Sequence, residues 1–282
     1  MSKRLIINAD DFGLSKQVNK AVAQAHKQGV LTSTTIMANM PAAAKAVKIA
    51  KKNPNLGVGV HLNLTEGKPL SKDQNVKRLL NPDGRFACSP AKLSFLSIAG
   101  PKNRNAIRTE LAAQIQWLID NGIKPTHLDS HKHIHIFPAI FSIVCELARR
   151  FEIKAVRCCF EPANLTQLPW PLPSEGGRKR AKLIRIMAAV NRLQNSALIK
   201  TDALLGIAHR GKVDVNFFKS VSLYNTAATA EVMTHPAVDD SSQINHVRTL
   251  HHRRIELDAL CSEKTREYLN DAAIELVHYG RL

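Results

Sequence analysis

The chain has 282 residues, 44% of them hydrophobic and 5% aromatic, and a formal net charge of +17; its basic residues are mostly dispersed and no helix-turn-helix or RNA-binding motif accompanies them, so the charge does not argue for a nucleic-acid partner. That length can bury a sizeable core and suits one large α/β domain. No segment approaches the roughly 20 uninterrupted apolar residues of a membrane span, the run Leu5-Ile6-Ile7 is too short for a secretory leader, and Cys88, Cys145, Cys158, Cys159 and Cys261 lack the Cys-x-x-Cys spacing of a zinc knuckle, so a reducing cytoplasm is expected.

Short runs rich in β-branched residues alternate with amphipathic helical patterns, the ordering of parallel strands joined by helical crossovers. The first strand is expected at Leu5 to Ala9. Ser15 reads as a helix N-cap, with Val18, Ala21, Val22 and Ala25 at helical spacing and Gly29 as the stop. Strands follow at Thr32 to Met37 and Gly57 to Leu64, separated by a helix from Pro41 to Ala50. Asn81-Pro82-Asp83-Gly84 is a turn inside a longer insertion. Ile107, Leu111, Gln114, Ile115 and Leu118 outline a helix ended by Gly122. A histidine-rich strand comes next, then a helix from Pro138 to Arg150 and a fifth strand at Lys154 to Cys159. Pro162, Pro169, Pro171, Pro173 and Gly176-Gly177 mark an irregular excursion, and a Pro-rich and basic insertion is expected over about 161–195. An apolar stretch near Ala197 to Ile207, a strand at Glu231 to Thr234 and a last one near Ile274 to Tyr279 bring the count to eight. Eight strands in this order predict a distorted (β/α)-barrel, TIM-barrel-like, in a single α/β domain.

The basic cluster Arg178, Lys179, Arg180, Lys182, Arg185 and Arg192 is interleaved with Leu183, Ile184, Met187 and Val190. One reading is a solvated helix with its apolar face on the core. The other is peripheral contact with an anionic membrane. A homodimer is a reasonable expectation for an enzyme of this size.

The most informative segment is Thr-His-Leu-Asp-Ser-His-Lys-His-Ile-His. A strand from His127 to His135 would aim His127, Asp129, His131, His133 and His135 at one side. Burying such groups unsatisfied costs about 1–3 kcal/mol each, so a metal or proton chemistry is the economical explanation. Polar groups close three further strands: Asp10-Asp11 the first, His61 with Asn63 the third, and Thr234-His235-Pro236 the one at 231–234. Barrel enzymes carry their functional residues at such carboxyl ends. Two imidazoles and a carboxylate, His61, His131 and Asp11, make a three-ligand set that leaves positions open for water and substrate. Adjacent Asp10 and Asp11 reach one site only if the chain turns there, which Gly13 would permit. One carboxylate then binds the ion and the other is free to take a proton. Arg157 and His209 are further candidates.

These residues resemble the YdjC-like carbohydrate deacetylases, which include chitooligosaccharide deacetylases and hopanoid-biosynthesis-associated deacetylases. The likeness is carried by Asn8-Ala9-Asp10-Asp11-Phe12-Gly13-Leu14-Ser15, Leu31-Thr32-Ser33-Thr34-Thr35, Gly59-Val60-His61-Leu62-Asn63-Leu64-Thr65, the run Pro125 to His135, and Met233-Thr234-His235-Pro236, with Arg254-Ile255-Glu256-Leu257-Asp258-Ala259-Leu260 near the end. It implies a distorted barrel that binds one divalent ion, Mg2+ or Zn2+, and removes an acetyl group from an N-acetylated sugar in an oligosaccharide or glycolipid. Carried over by position, Asp11, His61 and His131 become metal ligands, Asp10 the general base and His235 the candidate general acid. Two alternatives stand beside it: a metal hydrolase acting on a different bond, and a noncatalytic glycan- or anion-binding barrel.

Overall fold

A computed structural model describes residues 3–163, 172–173, 175–194, 197–238 and 250–282. The chain opens with β1 (Arg4–Phe12), α1 (Lys16–Gln28), β2 (Ser33–Ile36), α2 (Ala43–Lys51) and β3 (Gly57–Leu62). The insertion after β3 leads into α3 (Pro90–Ile98) and α4 (Pro101–Asp120), followed by β4 (Leu128–Ser130), α5 (Pro138–Arg150) and α6 (Glu175–Gln194). The remainder is β5 (Ala203–Leu205), α7 (Val215–Tyr224), β6 (Thr229–Thr234), α8 (Leu250–Cys261), α9 (Glu263–Asp271) and β7 (Glu275–Val277). The expected cap and stop of α1 are present: the Ser15 side chain accepts from the Val18 N–H, and Gly29 is the C-cap.

The strands are parallel and run in the order β4-β3-β2-β1-β6-β5. β7 pairs with Arg4, Leu5 and Ile6 of β1, on the side that β2 takes further along. The expected strand at 154–159 contributes only isolated bridges, Val156 to Leu128 and Ala155 to Ile199. With the Leu204 N–H donated to the Phe160 carbonyl at 2.9 Å, these contacts carry the curl from β4 round to β5. The result is the distorted (β/α)-barrel in a single domain that the sequence predicts, with single bridges replacing full ladders on one side.

Period-2 alternation along the strands sorts their side chains into two layers. Leu5, Ile7 and Ala9 of β1, Val58, Val60 and Leu62 of β3, and Ala230 and Val232 of β6 belong to the main core cluster shared with the helices. The alternate residue Ile6 packs with Ala155, Val277 and Tyr279 in a separate cluster. The residues on this second register include Asn8, Asp10, His61, Asp129 and Glu231, all buried. A polar interior is therefore built into the strand pattern.

Candidate active site

The geometry begins at the end of β1. The sequence assigns the turn there to Gly13, but Asp11 itself adopts φ 65 alongside Gly13 at φ 94, and the β1–β2 register slips between Ala9 and Phe12. A left-handed Asp is among the few non-glycine residues that tolerate this conformation. The slip brings Asp10 and Asp11 into one polar cluster, which a regular strand would forbid. Gly13 is needed for a second reason: a Cβ there would fall 3.0 Å from the Ala43 Cα.

Asp11, His61 and His131 offer ligand atoms that all lie within 4.8 Å of one another. Asp11 Oδ1 is 3.0 Å from His131 Nδ1 and 3.5 Å from His61 Nε2, yet this buried oxygen has no hydrogen bond. Three electron-pair donors thus converge without satisfying one another, the arrangement a divalent cation fits. Each imidazole is backed by a carboxylate on its other nitrogen: His61 Nδ1 lies 2.7 Å from Asp129 Oδ1, and His131 Nε2 lies 3.3 Å from Glu66 Oε1. Such partners fix tautomer and ring orientation in metal sites. Burial alone would lower His61, but Asp129, Asp11 and Asp10 push it up to about 10. The carboxylates favour positive charge at this point, as a proton on His61 or as a bound cation.

Behind this cluster, Arg157 is wholly buried among three carboxylates. Its Nη1 and Nη2 reach Asp10 Oδ2 and Oδ1 at 2.8 and 2.6 Å, Nη1 lies 2.8 Å from Asp129 Oδ2, and Nε donates to Glu231 Oε1 at 2.9 Å. Tyr279 donates to the other Glu231 oxygen. Burial opposes ionisation of Asp10, but the Arg157 fork outweighs it and holds the carboxyl well below its usual range. Arg157 is thus placed to fix Asp10 in position and to favour its ionised form.

His235, just after β6, sits with Nε2 3.9 Å from Asp10 Oδ2 and Nδ1 3.9 Å from Glu256 Oε2. Its backbone N–H donates to Glu256, on α8. Burial pushes His235 down to about 4 and Glu256 up to about 7. The His235 value therefore lies below the ordinary imidazole value near 6.5.

Asp10, Asp11, His61, His131 and His235 line one cavity of about 380 Å³, a small-molecule size. Its wall is apolar on one side, with Ile136, Phe137, Leu183, Ile184, Met187 and Met233, and basic at Lys132, Arg180 and Arg210. α6 therefore forms part of the site, although residues 164–171, 174 and 195 of the expected insertion, with Pro169 and Pro171, lie outside the described residues.

The histidine row needs correction. The strand ends at Ser130, and His131–Ile136 is a 3-10 segment in which Lys132 and His133 take φ 55 and 54. The five polar groups consequently diverge. His127 is stacked on Tyr279 with centroids 4.0 Å apart, where Gly59 makes room: a Cβ there would meet His127 Cε1 at 2.5 Å. His135 pairs through Nδ1 with Ser130 and approaches Cys159 Sγ at 3.4 Å. His133 lines the cavity wall. Hydrogen bonding accounts for His135, while His127 is held by its stack and by Thr126 at Nδ1, its Nε2 buried without a hydrogen-bond partner among the described residues. Asn63 does not join the site either; it organises its own turn, donating to Asn39 Oδ1 and the Glu66 carbonyl. His209 is buried against Phe217, with ring centroids 5.2 Å apart.

Sequence reasoning assigned no role to Glu66, Glu231, Arg253 or Glu256. A glutamate in an otherwise apolar buried strand was the one available signal, at Glu231. Arg253, on α8, donates to Asp11 Oδ2 at 2.5 Å.

A parallel (β/α)-barrel with an Asp-His-His cluster at the carboxyl ends of its strands defines the class of protein. The profile of the family described as YdjC-like protein matches residues 4–271, and the chain belongs to that family. It is 34% identical to a carbohydrate deacetylase of Brevibacillus brevis over 99% of both chains. It is 35% identical to a chitooligosaccharide deacetylase of Salmonella paratyphi B, covering 93% of this chain and 92% of that one. A crystal structure of a candidate cellobiose-phosphate cleavage protein from Enterococcus faecalis superimposes with a TM-score of 0.80 at 24% identity, covering 100% and 99% of the two chains. That last likeness bears on the fold alone.

Proposed function

We propose that the protein is a metal-dependent carbohydrate N-deacetylase that hydrolyses the acetamido group of a sugar in an oligosaccharide or glycolipid. The observation that carries the reading is Asp11 Oδ1, buried without a hydrogen bond and facing two carboxylate-backed imidazoles at the cavity lining. The named activity of its full-length relatives supports the same reaction. Asp11, His61 and His131 would hold one divalent ion, for which imidazole donors favour Zn2+ and family association favours Mg2+. When bound, such an ion supplies Lewis acidity, polarising a carbonyl and lowering the pKa of water.

Asp10 accepts the proton of the attacking water. Its pairing with Arg157 reduces its basicity but keeps it ionised and aimed, so no proton need be shed before each turnover. His235, neutral at pH 7 because of burial, becomes an acid only after receiving a proton. Its Nε2 is 3.9 Å from Asp10 Oδ2, so the proton collected by Asp10 has a nearby route to the departing nitrogen. General acid–base transfer of this kind contributes about 10²–10⁴ in rate.

The apolar wall contributed by α6 suits the hydrophobic part of a glycolipid. Away from the cavity the same helix combines Ile186 and Val190, which are 57% and 43% exposed, with the exposed Arg178, Lys179 and Lys182. That combination suits peripheral contact with an anionic membrane. Purified protein assayed for acetate release from N-acetylated oligosaccharides, with metal content measured before and after chelation, tests the central reading. Absence of release across a broad N-acetyl glycan panel with metal supplied would overturn it.

A further inference from the structure

The Asp11 carboxylate is divided between two kinds of neighbour. Oδ1 faces the imidazoles of His131 and His61 at 3.0 and 3.5 Å, while Oδ2 accepts from Arg253 Nη2 at 2.5 Å. Arg253 is only 8% exposed and sits one turn before Glu256 on α8. The carbonyl of Arg253 accepts the Ala237 N–H at 3.2 Å, and Glu256 accepts the His235 N–H. α8 is thereby tied to the loop after β6 at two points, and the guanidinium is placed by a packed element. The other guanidinium nitrogen, Nη1, is buried with no hydrogen-bond partner among the described residues. Among the described residues Asp11 is the carboxylate in direct contact with Arg253, with Glu256 feeling its charge from further along α8.

We propose that Arg253 is a positioning residue that limits the cation-binding strength of Asp11: by engaging Oδ2 it leaves one oxygen for the ion and cancels the ligand's charge.

Two neutral imidazoles and one ionised carboxylate carry a charge of −1, and Arg253 returns the sum to zero. A bound divalent cation feels that guanidinium at close range in a site shielded from solvent, where charges interact strongly. Restricting Asp11 to one oxygen also keeps a coordination position for water and substrate that a bidentate carboxylate would fill. This is the opposite of the Asp129 and Glu66 roles. Those residues orient an imidazole and strengthen it as a ligand, whereas Arg253 weakens the one anionic ligand. The inference rests on the metal reading of the Asp11, His61 and His131 cluster.

The two effects predict opposite signs, so metal affinity decides between them. Mn2+ dissociation constants are measured by calorimetry and by EPR of the free ion, for the full chain and for Arg253→Met and Arg253→Lys. Arg253→Met is expected to bind Mn2+ at least tenfold more tightly, and Arg253→Lys, which keeps the charge, to stay within about threefold of the parent. If Arg253 merely orients Asp11, its loss weakens binding by the 10–100-fold typical of outer-shell partners, and the inference is overturned; unchanged affinity overturns it equally. If Arg253→Met folds only with metal present, EDTA-driven release of Mn2+ from the loaded protein is timed instead: release slower than from the parent supports the inference, and faster release overturns it. Acetate release by the parent protein is scored separately. An inactive parent with a tighter Arg253→Met sinks the deacetylase reading alone, and an active parent with an unchanged or weaker variant sinks this one alone.

Discussion

His61 Nδ1 lies 2.7 Å from Asp129 Oδ1, and this contact ties the candidate ligand set to the buried charge network beneath it. The second Asp129 oxygen accepts from Thr35 Oγ1 at 3.1 Å and pairs with Arg157 Nη1 at 2.8 Å. All the contacts to this carboxylate are made by donors. In Asp129→Asn the new amide N–H2 must replace either the oxygen that faces His61, whose Nδ1 could accept only by giving up its proton, or the one that faces Arg157, which has no acceptor at all. Affinity for Zn2+ or Mn2+ is expected to fall about 10–100-fold, read by calorimetry. Affinity within a factor of two of the parent would detach Asp129 from the ligand set.

His127 should govern part of the acid sensitivity of the fold. Burial pushes it down to about 3, with Asp129 opposing and Arg157 reinforcing. In the unfolded chain the same imidazole takes a proton near 6.5. Between those values the unfolded state binds more protons, so stability is lost as pH falls from about 6.5 toward 3. His135, lowered to about 4 chiefly by burial, adds to the slope with the same sign. His127→Phe keeps a ring on Tyr279 but cannot titrate. Denaturant melts at pH 6.5 and 4.5 should show the parent losing on the order of 2 kcal/mol more than the variant. Equal losses would mean that His127 is protonated inside the fold.

The elements legible in the sequence are those whose signals are local. Ser15 and Gly29 bound α1 because a cap and a stop act within one turn, and the alternation in β1, β3 and β6 fixes which residues turn inward. Asp11, His61 and His131 come together because all three stand at the carboxyl ends of β1, β3 and β4, parallel strands of one curled sheet. The left-handed pair Lys132 and His133 was not legible: no glycine or proline marks it, and the period-2 run continues through a segment that is no longer a strand. Arg157 takes its partners from β1, β4 and β6, so its burial is a tertiary fact with no local trace. The same holds for Glu66 and for Arg253, whose contacts reach across 65 and 242 positions of the chain. The low value of His235 follows from enclosure, which spacing alone does not reveal.

The proposed membrane contact through α6 can be tested separately from catalysis. Its buried line is Gly177, Ala181, Ile184, Ala188 and Asn191, which leaves Ile186 facing outward at 57% exposure. The parent protein should sediment with vesicles containing phosphatidylglycerol and be released by salt, since each basic residue near such a surface contributes about 1 kcal/mol. Arg178→Glu with Lys179→Glu should reduce vesicle binding at least tenfold, and Ile186→Glu should do so even at low salt. Failure of the parent to bind anionic vesicles ends the proposal for this helix.

Asp10 offers the sharpest test of the chemistry, because its proposed role differs from that of its neighbour. Asp11 belongs to the candidate ligand set with His61 and His131, whereas Asp10, which also lies near His61 and Asp129, has both oxygens on Arg157 and Oδ2 facing His235. Asp10→Asn preserves size and can keep one hydrogen bond to Arg157, so the variant should fold and retain its metal. It cannot take a proton from water, nor pass one to His235. Turnover should fall by about 10²–10⁴, with metal content within error of the parent. Asp11→Asn should instead lose metal and activity together. If Asp10→Asn turns over at the parental rate, the water proton goes elsewhere, and the pairing with Arg157 is then a device for burying charge.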